Sequence, residues 1–167
     1  YTIFNTAFSN SYIPYLQKRI NAFTEEYIAS EKMAIVRLSY LMMGGFAILS
    51  IVAVFICWLA IKFFLSADYA DSFQFIPYIM IGLTFNSIYG LVIQFPYTIK
   101  KTLGMGIITF SGSIIQLLLT YVLVLYLDVE GIKISYVVGS FIIMAGVWWY
   151  SNKVYPMPWF DFLKRNK

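Results

Sequence analysis

Four long stretches of the chain carry no charged side chain and are apolar almost throughout. They cover residues 38–61, 72–99, 102–127 and 134–152. Each meets or exceeds the roughly 18 to 20 residues that a helix needs to cross about 30 Å of hydrocarbon. Apolar residues cover most of the helix circumference in these stretches, which is typical of a helix surrounded by lipid. A transmembrane β-strand would instead show about ten residues of strict alternation. The pattern therefore predicts four full transmembrane helices.

The two regions before the first of these stretches have a different character. Residues 1–16 are semi-polar, and we interpret them as the cytoplasmic end of a truncated fifth span in a fragment of a larger transporter-like protein. The alternative is a short amphipathic N-terminal helix. Residues 17–36 place Ile20, Phe23, Tyr27 and Ile28 at i, i+3, i+7 and i+8. This spacing predicts an amphipathic helix on the cytoplasmic headgroup region or, alternatively, a soluble helical linker.

The predicted fold is all-α. It is a polytopic transmembrane helical bundle of about four full spans plus the end of a truncated fifth, connected by short loops and one amphipathic cytoplasmic helix. The four-span bundle occupies residues 37–152. Residues 153–167 form a cytoplasmic or interfacial tail, since Tyr155 and Trp159 are followed there by basic residues.

Composition supports a membrane location. The chain is 60% hydrophobic and only 12% charged, whereas soluble domains carry about 25% charged residues. That is about half the charge needed to cover a surface that faces water. The prediction is a multi-pass protein of a bacterial plasma (inner) membrane.

The distribution of the few charges predicts the orientation. Lys100 and Lys101 interrupt an otherwise apolar region, and cytoplasmic loops collect Lys and Arg, so we assign this pair to the cytoplasmic side. Alternating the spans from there also places the C-terminus in the cytoplasm. Ten of the 12 basic residues then lie inside: Lys18, Arg19, Lys32, Arg37, Lys100, Lys101, Lys153, Lys164, Arg165 and Lys167. The net charge of +4 is thus explained without a nucleic-acid partner.

The sequence contains no arrangement of residues that is typical of a hydrolytic or redox site. It contains no His, which excludes Ser-His-Asp triads, Cys-His dyads and histidine-ligated metals. The single cysteine, Cys57, lies in an apolar run and is expected to be a packing residue. All eight carboxylates lie in loops or at span edges. We therefore expect no enzymatic activity, no metal and no cofactor.

Polar residues inside two of the spans fall on defined faces. Thr109, Gly112, Ser113, Gln116 and Thr120 lie at i, i+3, i+4, i+7 and i+11 of one span, and Gly82, Asn86, Gly90 and Gln94 recur every four residues in another. Such residues commonly hold membrane helices together. Alternatively they line a polar cavity, because sugar hydroxyls need neutral donors and acceptors.

The chain from about residue 1 to 158 resembles the C-terminal half of bacterial polysaccharide flippases. These are the O-antigen-type members of the multidrug/oligosaccharidyl-lipid/polysaccharide exporter superfamily. The resemblance rests on extracellular Tyr69 followed by the apolar Ile76-Pro77, the Lys101-Thr102 pair, the small-residue span at Gly112 and the Gly131 turn. The chain departs from the family at Gln116, where Asn is common, and at Lys133, where a second Gly or Ala is common.

This resemblance implies a twelve-span fold of two six-helix bundles, of which the chain would supply the end of span eight and spans nine to twelve. It implies transport of undecaprenyl-diphosphate-linked oligosaccharide from the cytoplasmic to the periplasmic leaflet by alternating access, for surface polysaccharide biosynthesis. The expected partners are membrane lipid, the lipid-linked oligosaccharide and the missing N-terminal half of the transporter. The residues expected to line the pathway are Asn5, Ser9, Asn10, Asn86, Gln94 and Gln116. A multidrug exporter of the same superfamily and a non-transporting membrane subunit are the alternatives.

The charge distribution leads to a test of orientation. A cysteine introduced at position 100 should be inaccessible to an impermeant thiol reagent in intact cells, because the lysine pair belongs inside, and one at position 68 should be labelled. The outside assignment includes Asp68, Asp71 and Glu130. Labelling at position 100 with protection at position 68 would overturn it.

Overall fold

The computed structural model describes residues 2–21, 28–64 and 67–159, and every regular element in these ranges is helical. The elements in chain order are α1 (Thr2–Asn21), α2 (Ile28–Phe64), a 3-10 helix (Ala67–Phe75), α3 (Ile76–Val92), α4 (Gln94–Thr98) and α5 (Leu103–Val154). Three helical stretches are long and apolar enough to cross a membrane: Ser30–Phe64, Asp71–Thr98 and Leu103–Val154. The described structure thus agrees with the predicted all-α class and is consistent with a membrane protein.

The predicted connector over residues 17–36 is not one separate helix. Residues 17–21 end α1, and residues 28–36 form the beginning of α2. Helix α2 runs without interruption into the apolar stretch because residues 28–43 contain neither Gly nor Pro. Phe23 and Tyr27, part of the proposed amphipathic face, lie outside the described residues.

Helix α5 is a helical hairpin. Asp128, near the middle of its 52 residues, has the non-helical angles φ 48° and ψ −130°, and the chain reverses there. The leg before Asp128 (the first leg) and the leg after it (the second leg) run antiparallel, because Gly104 lies against Tyr150 and Gly112 against Ile143. The sequence predicted a loop between two apolar stretches here. A single residue makes the reversal instead.

Small residues permit the close approach of the two legs. A Cβ at Gly131 would overlap the Leu123 backbone, and one at Gly139 would overlap the Gln116 side chain. Without a hydrophobic driving force inside lipid, such close packing is a main source of helix association. Gly131 thus acts by close contact, three residues beyond the actual turn.

Helix α3 packs between α2 and α5. Hydroxyl groups join it to both: Ser50 Oγ lies 2.6 Å from Thr84 Oγ1, and Ser151 Oγ donates to the Val92 carbonyl over 3.2 Å. Such contacts satisfy polar groups within the bundle. Phe85 of α3 also stacks edge-on against Phe141 of the second leg, with ring centroids 5.4 Å apart.

The buried core lies at the end of the bundle that carries most of the basic residues. Leu16 and Ile35 pack there with Phe95, and Trp159 is only 3% exposed. The segment after α5 folds back onto this core, because Tyr40 Oη donates to the Trp159 carbonyl over 2.9 Å. Within the predicted tail, residues 153–159 thus belong to the folded bundle, and residues 160–167 lie outside the described part.

Lys32 also fastens the returning segment. Its Nζ donates to the Pro156 carbonyl over 3.1 Å and lies 4.8 Å from the centroid of the Tyr155 ring. Burial raises the pKa of the Tyr155 phenol further above neutral pH, and the face of the neutral ring attracts the cation.

Away from this core, large apolar side chains are exposed. Ile51 and Phe55 of α2 are 71% and 57% exposed, and Leu117 and Leu125 of the first leg are 72% and 65% exposed. Exposed large apolar side chains in such number mark a surface that contacts a membrane or another protein.

The close packing at the hairpin predicts the effect of adding one methyl group. Gly131→Ala should destabilise the detergent-solubilised protein by about 1 to 3 kcal/mol, because the added carbon meets backbone rather than a movable side chain. Gly106→Ala is the matched control, since nothing lies within 4 Å of the added carbon. Thermal unfolding followed by circular dichroism measures both. Equal melting temperatures for the two variants would contradict the hairpin contact.

Candidate functional site

The polar face predicted on the first leg of α5 is present in the structure. Thr109, Ser113, Gln116 and Thr120 follow one another along the helix, and two neighbouring grooves open beside them. Ser113 Oγ donates to the Thr109 carbonyl over 2.9 Å, and Thr120 Oγ1 lies 2.8 Å from the Gln116 carbonyl. Bonding to the preceding turn satisfies hydroxyls in an apolar helix. The oxygen atoms can still accept further bonds.

The first cavity, which we call the tyrosine groove, lies between α3, α4 and the first leg. Its volume is about 400 Å³. Tyr89 Oη lies 3.4 Å from Thr109 Oγ1 across the groove. The lining residues are Tyr89, Ile93, Tyr97, Met105, Gly106, Thr109, Phe110 and Ser113.

The second cavity, which we call the glutamine groove, continues along the first leg. Its volume is about 600 Å³, and Ser113 belongs to both grooves. The lining residues are Ser113, Gln116, Leu117, Leu118, Thr120 and Tyr121. The two grooves meet at Ser113 and follow the same leg, and we call the two together the path.

The described residues that line this path are all uncharged. Hydroxyl and amide groups can both donate and accept hydrogen bonds, and tyrosine rings offer flat apolar faces that end in a hydroxyl. The path can therefore bind a neutral ligand with many hydroxyls. Its apolar residues are equally able to contact an amphipathic molecule.

Part of the polar face also holds helices together. Thr120 Oγ1 lies 3.0 Å from Ser135 Oγ of the second leg, and Thr109 is paired with Tyr89. The Gln116 side chain packs on Gly139 and borders the open groove. The sequence analysis gave helix packing and cavity lining as alternatives for these polar residues. In the structure both roles occur on the same face.

Four of the six residues predicted to line a pathway have described side chains, and among these four Gln116 borders a groove. Asn10 is exposed on α1 and Asn86 is exposed on α3. Asn5 and Ser9 belong to α1, but their side chains lie outside the described part of the structure.

Gln94 serves the backbone instead. Its Nε2 donates to the Gly90 carbonyl over 3.1 Å. The amide thereby satisfies a carbonyl near the junction between α3 and α4, where the helix is interrupted at Ile93. A repeat of one polar residue every four positions cannot distinguish this local role from a shared face.

The tyrosines of the path were missed at the sequence level. Tyr89, Tyr97 and Tyr121 stand among many aromatic residues, since aromatics make up 20% of the chain. In a membrane protein a tyrosine is expected at the interface with water. The sequence does place Tyr89 at i+3 from Asn86, which puts the two on one side of α3. That position indicates a groove only once the first leg of α5 is known to pack beside it.

A buried lysine lies near the reversal of the α5 hairpin, at the end of the bundle opposite the buried core. The Lys133 side chain is 4% exposed, and it forms an ion pair with Glu130 at the start of the second leg. Its Nζ also donates to Gln74 Oε1 over 3.2 Å and lies 5.1 Å from the Phe75 ring centroid. These contacts join the 3-10 helix to the hairpin. Lys133 thus has a structural role.

The comparisons with known proteins yield no match: no family model, no curated protein and no solved structure matches the chain.

The Lys133 cluster predicts unequal effects of removing its two charges. Glu130→Ala should destabilise the protein by about 1 to 3 kcal/mol, because it leaves a buried ammonium without its counter-charge. Lys133→Met should cost less, since it replaces the charge with an apolar chain of similar length. Thermal unfolding in detergent measures the difference.

Lys62→Met is the control for this pair, because Lys62 is an exposed lysine in the last turn of α2. The double variant that combines Glu130→Ala with Lys133→Met should unfold at nearly the same temperature as Lys133→Met alone. A greater loss in Lys133→Met than in Glu130→Ala would show that the lysine is not held by the carboxylate.

Proposed function

We propose that the chain is the C-terminal part of a polysaccharide flippase. In this proposal it moves undecaprenyl-diphosphate-linked oligosaccharide from the cytoplasmic to the periplasmic leaflet by alternating access. The observation that carries the proposal is the uncharged path of hydroxyls, an amide and tyrosines along a helix that is otherwise apolar. A flippase makes and breaks no bonds. It needs a hydrophilic surface for the sugars while the polyprenyl tail stays in lipid.

The membrane topology of the proposal has four full crossings. The hairpin geometry of α5 supports two crossings from one continuous element, because each leg holds about 25 residues and is about 37 Å long. That length suffices for about 30 Å of hydrocarbon. The C-terminus would then lie in the cytoplasm of a bacterium, at the inner membrane. Residues 2–21 would meet the missing N-terminal half.

The exposed apolar surface supports the proposed partner. The glutamine groove is open on one side, and Leu117 and Leu118 on its edge are 72% and 58% exposed. A second bundle placed opposite would turn this open path into a central cavity. Alternating access requires such a second wall, since the path must face one side at a time.

A multidrug exporter is the second candidate. Ile93, Met105 and Phe110 make much of the tyrosine groove apolar, and such a surface suits an amphipathic drug. The two candidates differ in what the cell loses without the protein. Loss of surface polysaccharide supports the flippase, whereas unchanged polysaccharide with raised drug sensitivity supports the exporter.

The flippase proposal is tested by deletion and by substitution. Cells without the full-length protein should accumulate lipid-linked repeat units on the cytoplasmic side and lose surface polysaccharide. Gln116→Leu should lower export about five- to a hundredfold, because a sugar hydroxyl without its partner costs about 1 to 3 kcal/mol. Export is measured as labelled polysaccharide at the cell surface, normalised to the amount of protein in the membrane.

Ile115→Leu is the matched control, since Ile115 is 47% exposed on the same leg and borders neither groove. Asn10→Leu and Asn86→Leu test the predicted residues that lie away from the grooves. Normal export from Gln116→Leu at normal abundance would assign the glutamine to helix packing. Unchanged polysaccharide after deletion of the whole protein would reject the flippase and leave drug export or a subunit role.

A further inference from the structure

Three lysines lie near the open end of the α5 hairpin. Lys100 and Lys101 lie in the short connection between α4 and α5, and both are exposed. Lys153 is in the last turn of the second leg. The antiparallel legs bring that turn beside the connection, because Tyr150 packs against Gly104 and its hydroxyl lies 3.5 Å from the Lys101 carbonyl. We call Lys100, Lys101 and Lys153 the lysine cluster.

The charges of the lysine cluster are not balanced within the described residues. The ion pairs found there are Arg19 with Glu31 and Lys133 with Glu130. Lys153 Nζ lies instead 5.3 Å from the centroid of the Trp149 ring. Tryptophan beside lysine is the usual combination at the boundary between headgroups and hydrocarbon. The cluster is therefore placed to attract an anion at the membrane surface.

The backbone holds Lys100 in an unfavourable conformation. Its φ is 58°, in the left-handed region that favours Gly or Asn. Two hydrogen bonds fix the turn, from Lys100 N to the Tyr97 carbonyl over 3.0 Å and from Lys101 N to the Pro96 carbonyl over 3.0 Å. This conformation does not favour lysine, so the charge of Lys100, rather than the folding of the turn, accounts for the residue at this position.

The lysine cluster adjoins the tyrosine groove. Tyr97 lines the groove and accepts the bond that shapes the lysine turn, while Met105 and Gly106 line it from the beginning of the first leg. The groove thus begins within about one helical turn of the lysines on both sides. A ligand with an anionic group followed by neutral hydroxyl groups would match the order of these surfaces.

We propose that the lysine cluster binds the phosphate groups of a lipid headgroup, and that this headgroup is the diphosphate of the carrier lipid. The second part rests on the proposed function. The diphosphate sits at the lysines, the sugars next to it enter the tyrosine groove, and the polyprenyl chain stays in the membrane. The cluster is thus the loading position on the side where lipid-linked sugars are made.

The test measures lipid binding by the full-length protein in phosphatidylcholine nanodiscs. Undecaprenyl diphosphate and phosphatidylglycerol are titrated separately, and binding is read by native mass spectrometry. A triple variant, K100Q with K101Q and K153Q, should bind undecaprenyl diphosphate about a hundredfold more weakly, because each basic residue near an anionic surface contributes about fivefold. The corresponding triple Lys→Arg variant keeps the charge and should bind within about threefold of the wild type.

The matched control removes the same number of charges elsewhere. K18Q, R37Q and K62Q change three exposed basic residues and should leave binding unchanged. Equal losses in the two triple glutamine variants would overturn the proposal, because net charge rather than the cluster would then govern binding. Unchanged binding in the variant of the lysine cluster would also overturn it.

The two lipids identify the source of the phosphate. Preference of the wild type for undecaprenyl diphosphate, lost in the cluster variant, supports the loading position. Equal, cluster-dependent binding of phosphatidylglycerol supports a phosphate site but overturns the assignment to the carrier.

Failure of the loading position is distinct from failure of the flippase proposal. Normal polysaccharide after deletion rejects the flippase even if the lysines bind phosphate, and unaltered lipid binding rejects the loading position even if deletion abolishes export.

Discussion

The close contact between the two legs of α5 is the interaction on which the rest of the arrangement depends. Gly131 lies against the Leu123 backbone, where a larger residue would push the legs apart, and Gly139 lies against the Gln116 side chain. The contact sets which face of the first leg is left open, so Ser113 and Gln116 border the path. At the other end it brings the last turn of the second leg, which carries Lys153, close to the connection that carries Lys101. One packing interaction thereby determines both the neutral path and the charged position at its end.

Much of the fold could be predicted because few residue types are tolerated in a helix that lies in lipid. A charged side chain is costly in hydrocarbon, so charge-free stretches identify membrane-length helices, and α2, α3 and α5 fall on them. The polar face from Thr109 to Thr120 was likewise readable from helical spacing. The all-α prediction is confirmed, whereas the number of crossings stays a prediction.

Other features could not be read from the sequence because they depend on neighbouring elements. The reversal at Asp128 uses one residue with positive φ, and nothing in its neighbours distinguishes it from an ordinary loop. Gln94 has the same spacing as a cavity residue, but its amide is used by the Gly90 carbonyl. Tyr89 becomes part of a groove only because α3 packs against the first leg and brings Thr109 within 3.4 Å. The spacing of polar residues identifies one face of a helix, but the contacts with neighbouring elements decide what that face does.

The central claim is that sugars of a lipid-linked glycan pass along the face shared by the two grooves, and crosslinking in living cells tests it most directly. A photoreactive amino acid is placed at Ser113, where the grooves meet, and separately at Leu125, which is 65% exposed and belongs to neither groove. After illumination, the protein is isolated and probed for attached glycan. Glycan attached at position 113 and absent at position 125 is the predicted result. Equal labelling at both positions, or labelling at position 125 alone, would contradict it.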